Sequence, residues 1–158
     1  MNFLTEHGIS SYGELESKLT AISARRDTAH AEIKRIESRS AELALVMKHA
    51  GTYRQLKPLY DRYRKSNDKE KFLRGHESEI ILFEAAAREL KRLGAVPLPT
   101  TESMKTELAN LNAEKERLLA EYKTARIEAQ EYDTVKQNVD ALLTVPKEQE
   151  QQRRHELE

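Results

Sequence analysis

Residues 15–50 read LESKLTAISARRDTAHAEIKRIESRSAELALVMKHA, and their spacing decides the fold. Steps of four and three from Leu15 give Leu19, Ile22, Arg26, Ala29, Ile33, Ile36, Ser40, Leu43, Met47 and Ala50, and nine of these eleven positions are apolar. An apolar seam held over five heptads is a coiled-coil strand, a narrower pattern than the broad face of an ordinary amphipathic helix. Just before it, Ser11-Tyr12-Gly13-Glu14 fits a capping box, in which hydroxyl and carboxylate each satisfy an orphan amide at a helix start.

A second seam occupies the other end of the chain. It follows Gly94-Ala95-Val96-Pro97-Leu98-Pro99, a stretch whose glycine and prolines permit only a loop, and Thr100 or Thr101 is placed to cap the helix. The seam then runs from Met104 through Leu108, Leu111, Lys115, Leu118, Tyr122, Ala125, Ala129, Tyr132, Lys136 and Val139 to Leu143, with ten of twelve positions apolar. Pro146 is expected to end the helix. Two such strands predict an all-α fold, a long antiparallel coiled-coil hairpin with a shorter helical pair at its distal tip. A pairing in which residue numbers sum to about 158 sets Ala29 opposite Ala129, Ile33 opposite Ala125, Ile36 opposite Tyr122, and Arg26 over the ring of Tyr132.

Residues 52–93 leave the seam and form the expected tip. Tyr53, Leu56, Tyr60 and Tyr63 keep helical spacing one position out of phase, and Pro58 predicts a kink there, or a break near Gly51. Ser66-Asn67-Asp68 is a turn and cap signal. Phe72, His76, Ile80, Phe83, Ala87, Leu90 and Leu93 make a further helical face closed by Gly94. One domain is expected over residues 1–147, with long helices at about 12–50 and 101–145 and the tip at 52–93. Residues 148–158 read as a polar tail, whose Glu156-Leu157-Glu158 ending matches what an expression vector adds.

Composition narrows the function classes. Ala, Glu, Lys, Leu and Arg make up 85 of the 158 residues, the composition of long helices, and no Cys is available for a disulfide or thiolate site. Apolar runs are too short to span a membrane, and Met1-Asn2-Phe3-Leu4 lacks the basic flank and apolar stretch of a signal peptide, so a cytoplasmic location is expected. The histidines at 7, 30, 49, 76 and 155 form neither HxxxH nor HExxH. Acids flank the seams with bases close by, as in Glu14–Lys18 and Glu84–Arg88, the pattern of a solvated helix face. No phosphate-cradling glycine loop or nucleophile motif is present, so no catalytic residue, metal, cofactor or small-molecule substrate is expected.

The 27 basic and 27 acidic residues cancel, but they are not evenly spread. Between Lys48 and Arg74 nine bases face three acids, an excess of six in 27 residues, and Tyr53, Tyr60, Tyr63 and Phe72 fall in the same window. Cations interleaved with aromatic rings are what phosphate contact and base stacking use. The plainer explanation makes the rings the core of the tip and the cations its wet face. The candidate contact residues are Arg54, Lys57, Tyr60, Arg62, Tyr63, Arg64 and Lys65.

An ordered set of short motifs runs through most of the chain: Thr52-Tyr53-Arg54-x-x-x-Pro58-x-Tyr60-x-x-Tyr63, Phe72-Leu73-x-x-His76-Glu77, Glu84-Ala85-Ala86-Ala87, Leu98-Pro99, Leu108-x-x-Leu111-x-x-Glu114-Lys115, Glu121-Tyr122-x-x-Ala125-Arg126 and Lys136-x-Asn138-Val139-Asp140-x-Leu142-Leu143. The order resembles the helical C-terminal region of relaxases, the mobilisation nucleases of bacterial conjugative transposons and mobilisable elements. In that family a separate N-terminal domain carries the nucleophilic tyrosine and metal-holding histidines, and nothing here matches that cluster. The resemblance implies a non-catalytic accessory region that docks DNA near the transfer origin, another relaxosome protein, or the coupling apparatus. The alternative is a coiled-coil spacer or self-association module, for which a homodimer is expected.

Overall fold

The computed structural model describes His7 and residues 11–156, with side chains followed as far as Leu143. The Met1–Leu4 start and the last two residues of the Glu156-Leu157-Glu158 ending lie outside the described residues. Three helices account for nearly all of it, and the fold is all-α: α1 spans Tyr12–Lys65, α2 Lys69–Arg92 and α3 Thr101–Glu156. None is long and apolar enough to cross a membrane, among the described residues.

Each boundary has a local chemical cause. Ser11 Oγ accepts from the Glu14 amide at 3.2 Å, starting α1. Asp68 accepts from the Lys71 amide at 3.1 Å, starting α2, and Thr100 Oγ1 accepts from the Ser103 amide at 3.1 Å, starting α3. Helix α2 closes with Gly94 at φ 70°, its amide donating to Lys91 O at 3.1 Å while the Ala95 amide reaches Leu90 O at 2.9 Å. This paired closure needs a left-handed residue, which glycine supplies without a Cβ penalty.

Two expected breaks are absent. Helix α1 passes Gly51 and Pro58 without interruption and ends at Lys65, not near residue 50. Pro58 lies on the exposed side, so the Arg54 carbonyl deprived of its donor can turn to water, and the loss is confined to one hydrogen bond. Helix α3 continues past Pro146 to Glu156, so residues 148–156 are helical, where a tail was expected. The observed kink is instead at His76 in α2, whose φ of −136° and ψ of 25° leave the helical region.

The chain divides into two compact units, one of Met1–Ile33 and Glu116–Glu158, the other of Lys34–Lys115. In the first, Leu15, Ile22, Ala129 and Tyr132 form a buried cluster with Leu19, Val135 and Val139 packed against it. Its segments of α1 and α3 run in opposite directions. Tyr12 donates to Asp140 at 2.6 Å, Lys136 lies 3.9 Å from Glu16, and the rings of His30 and Tyr122 are 5.6 Å apart, so paired numbers add to 152 in each case. The register is therefore about one heptad away from the expected sum of 158. That shift sets Ile22 beside Ala129 and removes the Ala29–Ala129 layer, in which two small side chains would leave a gap. Arg26 does not lie over Tyr132 as expected from the earlier register; it pairs with Asp27 at 3.1 Å.

The second unit buries Ile36, Leu43, Val46 and Ala50 of α1, Met104 and Leu111 of α3, and Ile80, Phe83, Ala86 and Leu90 of α2. Arg39 grips Glu107 with two parallel hydrogen bonds of 2.6 and 3.1 Å and adds a contact to Glu42 at 3.2 Å. The forked geometry fixes one guanidinium plane against one carboxylate, and the hydrogen bond to Glu107 raises the pKa of Arg39.

Candidate nucleic-acid interface

Within the second unit the C-terminal part of α1 and the face of α2 after its kink enclose a groove of about 600 Å³. Spacing brings its residues together. Tyr53, Lys57, Tyr60, Asp61 and Arg64 recur at intervals of three and four on α1, and Phe83, Glu84, Ala87 and Arg88 do so on α2. Phe83 is buried and stacks on both tyrosines, with its ring centre 4.8 Å from that of Tyr53 and 4.3 Å from that of Tyr60. These near-parallel rings form the floor. Lys57, Arg64 and Arg88 supply three positive charges, and Asp61 and Glu84 supply two negative ones. Lys57 Nζ is 3.4 Å from Asp61 and 5.8 Å from the Tyr53 ring centre, so a carboxylate and a ring face hold its ammonium at the floor.

The seven expected contact residues divide into three groups. Lys57, Tyr60 and Arg64 line the groove. Tyr63 lies along the aromatic row, 5.8 Å from Tyr60 and 6.0 Å from Phe72, while Arg62 and Lys65 are exposed in the last turn of α1. Cations there complement the partial negative charge of the helix end, a structural role worth about 0.3–1 kcal/mol each. Arg54 is a brace: its guanidinium donates to the Pro99 carbonyl and, at 2.9 Å, to Thr101 Oγ1, tying the loop before α3 to α1.

Six of the nine lining residues lie outside the expected contact set: Tyr53, Asp61, Phe83, Glu84, Ala87 and Arg88. Arg88 and Phe83 stand outside the basic window, on another helix. Arg88 follows Glu84 by four residues and Ala87 follows Phe83 by four, one helical turn in each case, and that spacing is the signal that groups them on the groove side of α2. The comparisons add no relative: the chain matches no protein-family model, no curated protein and no solved structure.

Elsewhere on α2, His76 packs its ring 4.7 Å from that of Phe72. Its Nδ1 is shielded from solvent and stands 3.9 Å from Glu79 Oε1, beyond hydrogen-bond reach. In the other unit a smaller cavity of about 290 Å³ lies between Leu19, Ser23 and Arg26 of α1 and Ala129, Gln130 and Asp133 of α3. Arg26 is engaged there by Asp27 and Asp133 accepts from Gln137 at 3.3 Å, so its charges are internally matched.

Proposed function

We propose that this chain is a non-catalytic helical docking region, similar to the C-terminal region of conjugative relaxases, that holds DNA during mobilisation. In this reading the helices form a long antiparallel coiled-coil hairpin, and the nuclease chemistry belongs to a separate domain. The single observation that carries the docking role is the groove of the second unit, where Lys57, Arg64 and Arg88 surround a floor of stacked rings. Phosphates meet the cations and bases meet the rings, a combination that binds single strands with little regard to sequence. The ordered motifs from Thr52 to Leu143 support the relaxase connection.

The test is titration of a fluorescent oligo-dT against the protein at several salt concentrations. Binding should weaken linearly on logarithmic axes, and the K57Q/R64Q/R88Q variant should lose about two units of slope, since each phosphate contact contributes roughly 0.7. Arg54 is left intact because its loss would free the loop. An unchanged affinity and slope would remove the groove from consideration.

A further inference from the structure

Beside the groove, and sharing Tyr53 and Ala87 with it, lies a second cavity of about 220 Å³. Its character differs. Leu90, Ala95, Val96 and Leu98 form its walls, and Lys91 is the one charged residue among its lining. It sits where the closure of α2 turns into the loop before α3, a loop held by Gly94 and by the Arg54 contacts to Pro99 and Thr101. Val96 is 68% exposed, so this wall of the cavity is open to solvent.

We propose that this cavity receives one unstacked base of a single-stranded nucleic acid whose phosphates lie along the groove, which makes the site selective for single strands over duplex. The inference rests on the docking function proposed above and names its ligand class. Size is the first support: 220 Å³ falls below the roughly 300–1,000 Å³ of pockets for drug-sized ligands, so it admits one ring system or side chain. Charge is the second. The two cavities together present Lys57, Arg64, Arg88 and Lys91 against Asp61 and Glu84, four cations to two anions. A ligand that fits both must offer a flat apolar face and an anion within a few ångströms, as a nucleotide does. A duplex keeps its bases stacked and paired, and pays an unstacking cost to present one.

A dT 12-mer and the same strand annealed to its dA complement are compared on wild type, Leu98→Ala, Val96→Ser and K57Q/R64Q/R88Q. The wild type should bind the single strand about tenfold more tightly, in line with what one stacked base contributes. Val96→Ser, at an exposed position that leaves the fold intact, and Leu98→Ala should bring the ratio toward one with duplex affinity unchanged. Equal, salt-sensitive affinity for both DNAs, lost in K57Q/R64Q/R88Q, would overturn the base cavity and leave the docking function standing. Absence of salt-sensitive binding to either DNA would overturn both. A poly-glutamate peptide bound as tightly as the oligonucleotide, and insensitive to Val96→Ser and Leu98→Ala, would assign the groove to an acidic protein and overturn the base cavity.

Discussion

The two units use the same amino acids for opposite ends. In the unit of residues 1–33 and 116–158, charge is matched between α1 and α3: Arg25 meets Glu128 at 2.8 Å and Lys136 lies 3.9 Å from Glu16. Aromatic residues there pair with histidine rings: Tyr132, beside Leu15 and Ile22, has His7 edge-on at 5.5 Å, and Tyr122 lies 5.6 Å from His30. In the unit of residues 34–115 the rings stack on one another, and Arg64 and Arg88 face an open groove. Cations left around an aromatic floor favour an external anion, whereas cations set opposite carboxylates fix register. Arg39 and Glu107 pair α1 with α3 in the second unit as well, so the contrast rests on Arg64 and Arg88, the cations that the proposed docking function would set against an external anion.

The largest effect expected from breaking this contrast is Phe83→Ala. Its ring is the centre of the stack, so truncation should cost about 3–5 kcal/mol in chemical denaturation and abolish oligonucleotide binding. Gly94→Ala should cost about 1–2 kcal/mol through backbone strain alone, because φ is 70° and nothing lies within 4 Å of the added methyl. A loss below a few tenths would mean the α2 closure relaxes without it.

The smallest effect concerns the other unit at high pH. The hydrogen bond from Tyr12 to Asp140, followed by desolvation, holds the Tyr12 phenol well above its ordinary range, and burial followed by Glu128 and Glu131 raises that of Tyr132. A raised pKa means the folded state keeps its proton longer than the unfolded one. The associated stability is present below the unfolded value of about 10 and is lost as pH rises through the folded value. Tyr12→Phe should therefore flatten the alkaline limb of a stability–pH profile, and an unchanged limb would place the loss elsewhere.

The heptad period made the burial pattern legible. Every seam residue from Leu15 to Ala50 is buried or half-buried, and from Met104 to Val139 the second seam behaves alike. Register was not legible, because sums near 158 and one heptad lower preserve the same alternation of layers. What decides it is fit between individual side chains, such as Ile22 beside Ala129. Proline is costly in a helix on average, yet Pro58, on an exposed face, forfeits a single bond and the helix continues. The site was half legible: Lys57, Tyr60 and Arg64 stood out by local composition, but Arg88 joins them only through the return of α2. Arg54 stands among the expected contacts, but its partners, Pro99 and Thr101, lie 45 and 47 residues further on, where local composition gives no sign of them.

Ultraviolet cross-linking of a dT 12-mer to the wild-type chain, with the modified peptides sequenced by mass spectrometry, tests the central claim most directly. Cross-links should fall on the stretch from Tyr53 to Arg64 and near Phe83 and Leu98, in the unit of residues 34–115. Cross-links concentrated within residues 12–33 or 116–143 would contradict the assignment of the contact surface.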